Sequence, residues 1–316
     1  MTLPKDSSVP EACEDRAVVL PPDFAAVIDG ATDIGGQRFD GRAGGALAAE
    51  AVASAFASAW SDLRQGGPDP FAAAGAALAL ADRAIAALYA RLGLTDVVQD
   101  PARRFRAGFA VASLHGGVWR AVGAGDCAAR INDAPPMLRD HPAEAVHAAW
   151  RAAMIAADPT RPEADIRALL VAGLTRADAT ARKAAEGLEF VDPDFARHAL
   201  AQGLFGMRAA RPGDALAFGV ADGVGDMGQD YCWQNAAPAA EVRDIALWTD
   251  GWLLPGAGTL ESWLAAARKA HDEDPRRIHR HQCVKAPTVC GRHDDMGLVL
   301  IRGVETEGGS DCPQAL

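Results

Sequence analysis

The chain has no apolar run long enough to span a bilayer, and no export signal opens it. Its first residues, Met1-Thr2-Leu3-Pro4-Lys5-Asp6, lead straight into Glu11, Glu14 and Asp15. A cytoplasmic protein that does not enter membranes is expected. A basic block is missing too: 31 Lys and Arg face 42 Asp and Glu, a formal charge of −11. That balance disfavours nucleic acid and anionic membrane surfaces, and it suits metal cations. No Gly-x-Ser-x-Gly elbow supports a serine hydrolase. Gly123-Ala124-Gly125 lacks a third glycine in register for a dinucleotide fingerprint. With no export signal, the 6 cysteines are expected as reduced thiols.

What is present is apolar residue, 49% of 316, enough for a sizeable core. No repeat and no composition break divides the chain. We expect one domain over residues 1–304 and a polar, glycine-rich tail over 305–316. Ala17–Leu20 and Phe24–Ile28 are short apolar runs split by Pro21-Pro22-Asp23, which predicts paired buried strands. Phe109–Leu114 and Val118–Val122 flank Gly116-Gly117 as a hairpin, and a further strand is expected over Ala128–Ile131. Later strand-like runs are Ala215–Val220, Ile245–Thr249 and Met296–Ile301. Alanine-rich helical periodicity covers 46–63, 70–92 (with Asp69-Pro70 as its start), 142–157 and 160–188. Strands thus come in clusters separated by helix pairs. This predicts antiparallel or mixed sheets with helices packed outside.

The aspartates sit at the ends of these strands. Val27-Ile28-Asp29-Gly30, Gly125-Asp126-Cys127 and Thr249-Asp250-Gly251 each close an apolar run, while Asp294-Asp295 precedes Met296 and Glu14-Asp15 precedes Ala17. If these ends share one edge, several carboxylates meet in a small volume and repel one another without a counter-charge. Oxygen donors select hard ions such as Mg²⁺ or Mn²⁺ over zinc. A glycine after the ligand lets a backbone carbonyl approach the ion. Paired ions activate water and clamp the oxygens of a phosphoryl displacement, so phosphoester hydrolysis is the leading chemistry.

In order and rough spacing, Glu14-Asp15, Asp29-Gly30, Gly125-Asp126, Asp250-Gly251 and Asp294-Asp295 resemble the motifs of metal-dependent phosphatases of the protein phosphatase 2C type. Val27–Thr32 and Leu247–Trp252 look most like a divergent bacterial branch. The resemblance implies an α+β fold, a sandwich of two antiparallel β-sheets flanked by helix pairs, with a binuclear site at one end. It implies that Asp29 bridges both ions and Gly30 offers its carbonyl to one. Asp250 and Asp294 would hold the other, Glu14 or Asp15 would act through water, and Asp126 would serve a third, weaker metal. The implied substrate is a phosphoserine or phosphothreonine protein, cleaved in one step by a metal-bridging hydroxide. A cognate Ser/Thr kinase or its targets are the implied partners.

The chain departs from the family pattern at several positions. Ala31 replaces a histidine common after the first Asp-Gly, Cys127 a serine, and Gly297 a threonine. The arginine that grips phosphate before the Glu-Asp pair is missing, and Arg16 is the substitute considered. The alternative these departures suggest is a weakly active or inactive regulatory module. Asp222-Gly223 looks like a ligand pair as well, but is read as a turn. His279, His281, Cys283, Cys290 and His293 could instead suggest a zinc-stabilised interaction domain, yet lack a Cys-x-x-Cys knuckle and lie among arginines. Arg276, Arg277 and Arg280 of that segment are expected to steer an anionic substrate.

Overall fold

The computed structural model describes residues 1–31, 34, 37–39, 41–174, 183, 187–211, 213–225, 231–288 and 291–302. Its strands are β1 (Thr2–Leu3), β2 (Arg16–Leu20), β3 (Phe24–Gly30), β4 (Arg38–Phe39), β5 (Arg42–Ala43), β6 (Ala107–His115), β7 (Val118–Ala124), β8 (Ala128–Ile131), β9 (Cys232–Pro238), β10 (Asp244–Trp248) and β11 (Met296–Arg302). A 5-stranded sheet runs β2-β3-β6-β7-β9 and a 4-stranded sheet runs β1-β11-β10-β8. Every pairing within them is antiparallel. This is the α+β sandwich that the resemblance implies.

Strand β3 is apolar throughout because both of its faces are covered. Phe24, Ala26 and Ile28 pack on helices α1 (Gly44–Arg64) and α2 (Ala74–Leu92), where Trp60 stacks on Phe24 at 5.1 Å between ring centroids. Ala25 and Val27 point the other way, onto Leu247 and Val299 of the facing sheet. A short helix α3 (Thr95–Gln99) leads into β6. Helices α4 (Pro142–Ala157), α5 (Glu163–Ala172) and α6 (Pro193–Ala209) build a core of their own around Trp150, Ile166 and Leu200. Helix α7 (Leu260–Glu273) covers the 4-stranded sheet through Trp263, which packs on Trp248 and Trp252. Among the described residues no helix is long and apolar enough to cross a membrane.

The Gly116-Gly117 hairpin forms, both residues having the positive φ (59° and 75°) that only glycine adopts freely. Other expectations are corrected. Ala215–Val220 is not a strand: Gly213 has φ 89°, and the Asp214 carboxylate accepts the Leu216 N–H, turning the chain there. The strand lies later, at β9, an edge strand that buries only Trp233 and so carries no apolar run. Helix α2 starts at Ala74 rather than 70, because Asp69 caps a turn by accepting the Phe71 N–H. The 160–188 helix ends at Ala172, where Gly173 turns with φ 73°. Residues 175–182 and 184–186, the tail after 302, Thr32, Cys290 and Cys312 lie outside the described residues.

Candidate metal centre

Antiparallel register carries the acidic residues to one edge. Arg16 pairs with Ile28, setting Glu14-Asp15 beside the Asp29 end of β3, and Asp29 itself faces Gly108. Ala124 pairs with Phe109, so Asp126 leaves the same edge just beyond β7. In the second sheet Trp248 pairs with both Ala128 and Leu298, which directs Asp250 and Asp294-Asp295 to that end as well. Polar bonds join the sheets there. The Thr249 hydroxyl donates to Asp15 Oδ2 at 2.7 Å and accepts the Gly297 N–H at 2.8 Å. The Asp295 carboxylate accepts the backbone N–H groups of Lys5 at 2.6 Å and Glu14 at 2.8 Å. Gly108 leaves room for the acids, since a Cβ there would lie 3.1 Å from Asp126 Oδ1.

A cavity of about 690 Å³ opens at this edge, between the sandwich and the α4–α6 helices. Asp29, Asp126, Asp250 and Asp294 line it, joined by Asp140 and by Glu144 from the first turn of α4. Burial raises the Asp29 carboxyl well above the usual carboxylate range, and the charges of Asp250, Asp15 and Asp126 add to it. Asp15 is likewise raised, by burial above all, against the stabilising Thr249 hydrogen bond. Asp126 is pushed up to about 7 by burial and then by Asp250. Glu144 is pushed up to about 8 by burial and then by Asp126 and Asp250.

Lysines offset part of this charge. Lys285 is ion-paired with Asp294 Oδ2, and Lys5 Nζ lies 3.2 Å from Glu14 Oε2 and 3.7 Å from Asp294 Oδ1. The excess of carboxylate remains, and Asp250 Oδ1 is buried with no hydrogen-bond partner among the described residues. Crowded carboxylates held partly protonated, with a buried bare oxygen, fit a divalent cation: its charge reverses each of these shifts. Donor atoms of Asp29, Asp126 and Cys127 lie within 4.8 Å of one another. Burial holds the Cys127 thiol well above its ordinary value, so sulfur is a poor donor here and oxygen ligands remain.

Four of the expected ligands therefore line one cavity: Asp29, Asp126, Asp250 and Asp294. Glu14 and Asp15, at 4% and 2% exposure, lie buried beneath it and are not a solvated surface. At Gly30 a Cβ would run into the Gly45 carbonyl at the start of α1, so close packing alone requires glycine there. Arg16 is corrected: its guanidinium donates to the Cys13 and Asp15 carbonyls at 2.8 and 2.7 Å and does not line the cavity. Asp222-Gly223 is a structural turn, with Asp222 paired to Arg104 at 2.9 Å and both its N–H and that of Gly223 bonded to Asp82.

The His/Cys/Arg segment forms no metal cluster among the described residues. Asp274 instead organises it by accepting the N–H groups of Ile278, His279 and His281. Arg277 is buried and donates to the Ala270 carbonyl at the end of α7, so it cannot steer substrate from the surface. Sequence reasoning missed Asp140, Glu144 and Lys285. Glu144 has the look of an ordinary first-turn acid opposite a helix N-terminus, and nothing in its neighbourhood announces the cavity.

No protein-family model matches the chain, and no curated protein does. Among solved structures it is similar to the serine/threonine phosphatase Stp1 from Staphylococcus aureus, at 11% identity, 96% of this chain, 94% of that one and a TM-score of 0.47. It is also similar to the Mycobacterium tuberculosis serine/threonine phosphatase PstP/Ppp, at 15% identity, 91% of each chain and a TM-score of 0.42. The catalytic domain of PstP in complex with 2 manganese ions aligns at 15% identity over 92% of this chain and 91% of that one, with a TM-score of 0.43. The architecture described above rests on the strand pairing of this chain and not on these likenesses.

Proposed function

We propose that the protein is a divalent-metal-dependent phosphoric monoester hydrolase acting on phosphoserine or phosphothreonine in proteins. The observation that carries this reading is the convergence of Asp29, Asp126, Asp250 and Asp294, from both sheets, on one cavity whose negative charge exceeds what Lys285 and Lys5 offset. Asp29, Gly30, Asp250 and Asp294 would hold two Mg²⁺ or Mn²⁺ ions, Asp126 would serve a third, and Glu14 or Asp15 would act through water. Such ions supply Lewis acidity toward the phosphoryl oxygens and lower the pKa of water.

The chain's own groups set the geometry. Asp15 and Gly297 hold Thr249, which fixes the turn that presents Asp250. Asp295 anchors the N-terminal segment so that Glu14 stays beneath the acids. The Lys285 ammonium lines the cavity and would pair with phosphate oxygens once it leaves Asp294. Purified protein supplied with Mn²⁺ should hydrolyse an aryl phosphate and a phosphoserine peptide. Asp29→Asn and Asp250→Asn should each abolish both activities; turnover that survives both substitutions refutes the site.

One observation favours the second reading, a regulatory module that has lost turnover. A lysine already neutralises Asp294, an expected metal ligand, in a chain that also carries Ala31 and Gly297 at divergent positions. Manganese binding by calorimetry with no hydrolysis of either substrate would select that reading.

A further inference from the structure

The strand-end carboxylates lie on the sandwich side of the cavity, and what α4 and α6 bring to the opposite wall is largely apolar. Leu204 and Met207 of α6 line it, as do Ala145 and Ala148 of α4, each pair three residues apart and so on one helix face. Gly203 aims the α6 pair. Its φ of 63° breaks the helix, and a Cβ there would run into the Gly173 backbone, so the segment from Leu204 onward leaves the axis of the turns before it. The end of α6 is then fastened to the sandwich. Arg106, the residue before β6, donates to the Pro101 and Arg208 carbonyls, and two residues further on Gly108 is the register partner of Asp29. One arginine side chain thus spans the gap between the apolar face of α6 and the strand that adjoins Asp29.

Helix α4 makes the same connection. Glu144 feels the charges of Asp126 and Asp250, and Ala148 follows it by one turn, about 6 Å along the axis at 1.5 Å per residue. The Phe218 ring lies 5.8 Å from that of His141, the residue before α4, and both line the cavity. In an extended peptide the residues one and two positions from a phosphoserine lie about 3.5 and 7 Å away, which matches this spacing. Phe190 lines the cavity while 74% exposed, a large apolar side chain that gains from being covered. Charge narrows the choice of cover. Asp140 and Glu144 line the cavity at the start of α4 and repel an acidic neighbour of the phosphate, while Arg167, whose pKa responds to burial alone, stands apart from them.

We propose that the wall formed by Ala145, Ala148, Leu204, Met207 and Phe190 is a specificity subsite for an apolar side chain one or two residues from the phosphorylated serine or threonine. The inference rests on the proposed function and narrows it: the substrate is a phosphoprotein segment with a leucine-like residue beside the phosphate and no acidic residue there. A mainly apolar cavity with a few polar groups at one end has the character of a pocket that orients its ligand through the polar end and selects it through the apolar one. A cavity of about 690 Å³ has room for both parts of such a segment. Phe190 and Leu204 are the residues whose loss reads the subsite, because Phe190 is exposed and Leu204 only half-buried, so neither carries the core of the α4–α6 helices.

The test uses the full chain with Mn²⁺ and three phosphoserine peptides, identical except that the residues one and two positions to either side are leucine, serine or aspartate. Calorimetry with their non-hydrolysable phosphonate analogues reads binding apart from turnover. The leucine peptide should bind about tenfold tighter than the serine peptide, and the aspartate peptide weakest. Phe190→Ala and Leu204→Ala should each remove most of that preference while leaving the serine peptide unchanged, with the melting curve of each variant as the folding control. Equal binding of the three peptides, no binding of the leucine peptide, or a preference that survives in both folded variants overturns the subsite. With the phosphoserine peptides themselves, KM should follow the same order, and Phe190→Ala should raise KM for the leucine peptide at unchanged kcat. Turnover with equal KM for the leucine and serine peptides would overturn the subsite and leave the hydrolase reading standing. Leucine-dependent binding without turnover would do the reverse.

Discussion

In divalent-free buffer the folded protein should lose stability as pH rises from about 6.5 to about 8, and Mn²⁺ should restore it. The cause is the carboxyl cluster, where Asp126 is raised to about 7 and Glu144 to about 8. A carboxyl whose folded value exceeds its unfolded one binds its proton more tightly in the native state. Its stabilising contribution is therefore complete at low pH and is lost as pH rises toward the folded value. Below pH 6.5 a second effect opposes this one. Burial lowers His147 and His293 from 6.5 to about 4, so the native state gains stability between those values as the unfolded chain gives up its histidine protons. Above 6.5 the histidines no longer contribute; burial of the Met1 amine, lowered from 8.0, opposes the carboxyls there, but it is one group against several raised carboxyls.

Over that upper window Asp126 has about half a unit left and Glu144 about one and a half, at roughly 1.4 kcal/mol per unit. Both groups are partly open to the cavity and each feels the other, which reduces the sum to about 2 kcal/mol. For a chain of this size that is a fall in Tm of about 3 °C. Asp29 and Asp15, raised well above the usual range, deepen the same trend. A bound cation replaces the protons, so the rise in Tm caused by Mn²⁺ should itself grow with pH. Thermal melts followed by circular dichroism at several pH values, with chelator or with Mn²⁺, read both effects. A chelated protein whose Tm stays flat or climbs from pH about 6.5 to about 8 refutes the reasoning.

Other substitutions separate the roles assigned above. Lys285→Met removes the ammonium paired with Asp294 and should tighten Mn²⁺ binding by about tenfold in calorimetry, whereas unchanged affinity would mean that the lysine does not compete for that carboxylate. Asp222→Ala leaves Arg104 buried and unpaired, which should cost about 3–5 kcal/mol in denaturant melts. Manganese affinity should not change in that variant; a loss of metal binding would make Asp222 a ligand after all. Gly30→Ala drives a methyl group into the Gly45 carbonyl and should destabilise the fold by about 1–3 kcal/mol, measurable even without metal.

Local pattern was enough to read much of this protein. The unbroken apolar run of β3 announced a strand covered on both faces, Gly116-Gly117 announced its hairpin, and Pro142 marked the start of α4. Each depends on backbone dihedrals or side-chain periodicity, which neighbouring residues dictate. The strand-end aspartates were legible for the same reason, since antiparallel order sends alternate strand ends to one edge. Edge strand β9 was not legible, because a strand that buries one tryptophan carries no periodic signal. Which Asp-Gly belongs to the acidic cluster was left to tertiary structure: Asp222 and Asp250 look alike locally, and only Arg104, far away in sequence, turns the former into a buried ion pair. Glu144 and Lys285 enter the site from a helix and a loop whose local patterns are ordinary. Their meaning comes from charge meeting charge across the folded chain, and that depends on topology, which no short stretch of residues encodes.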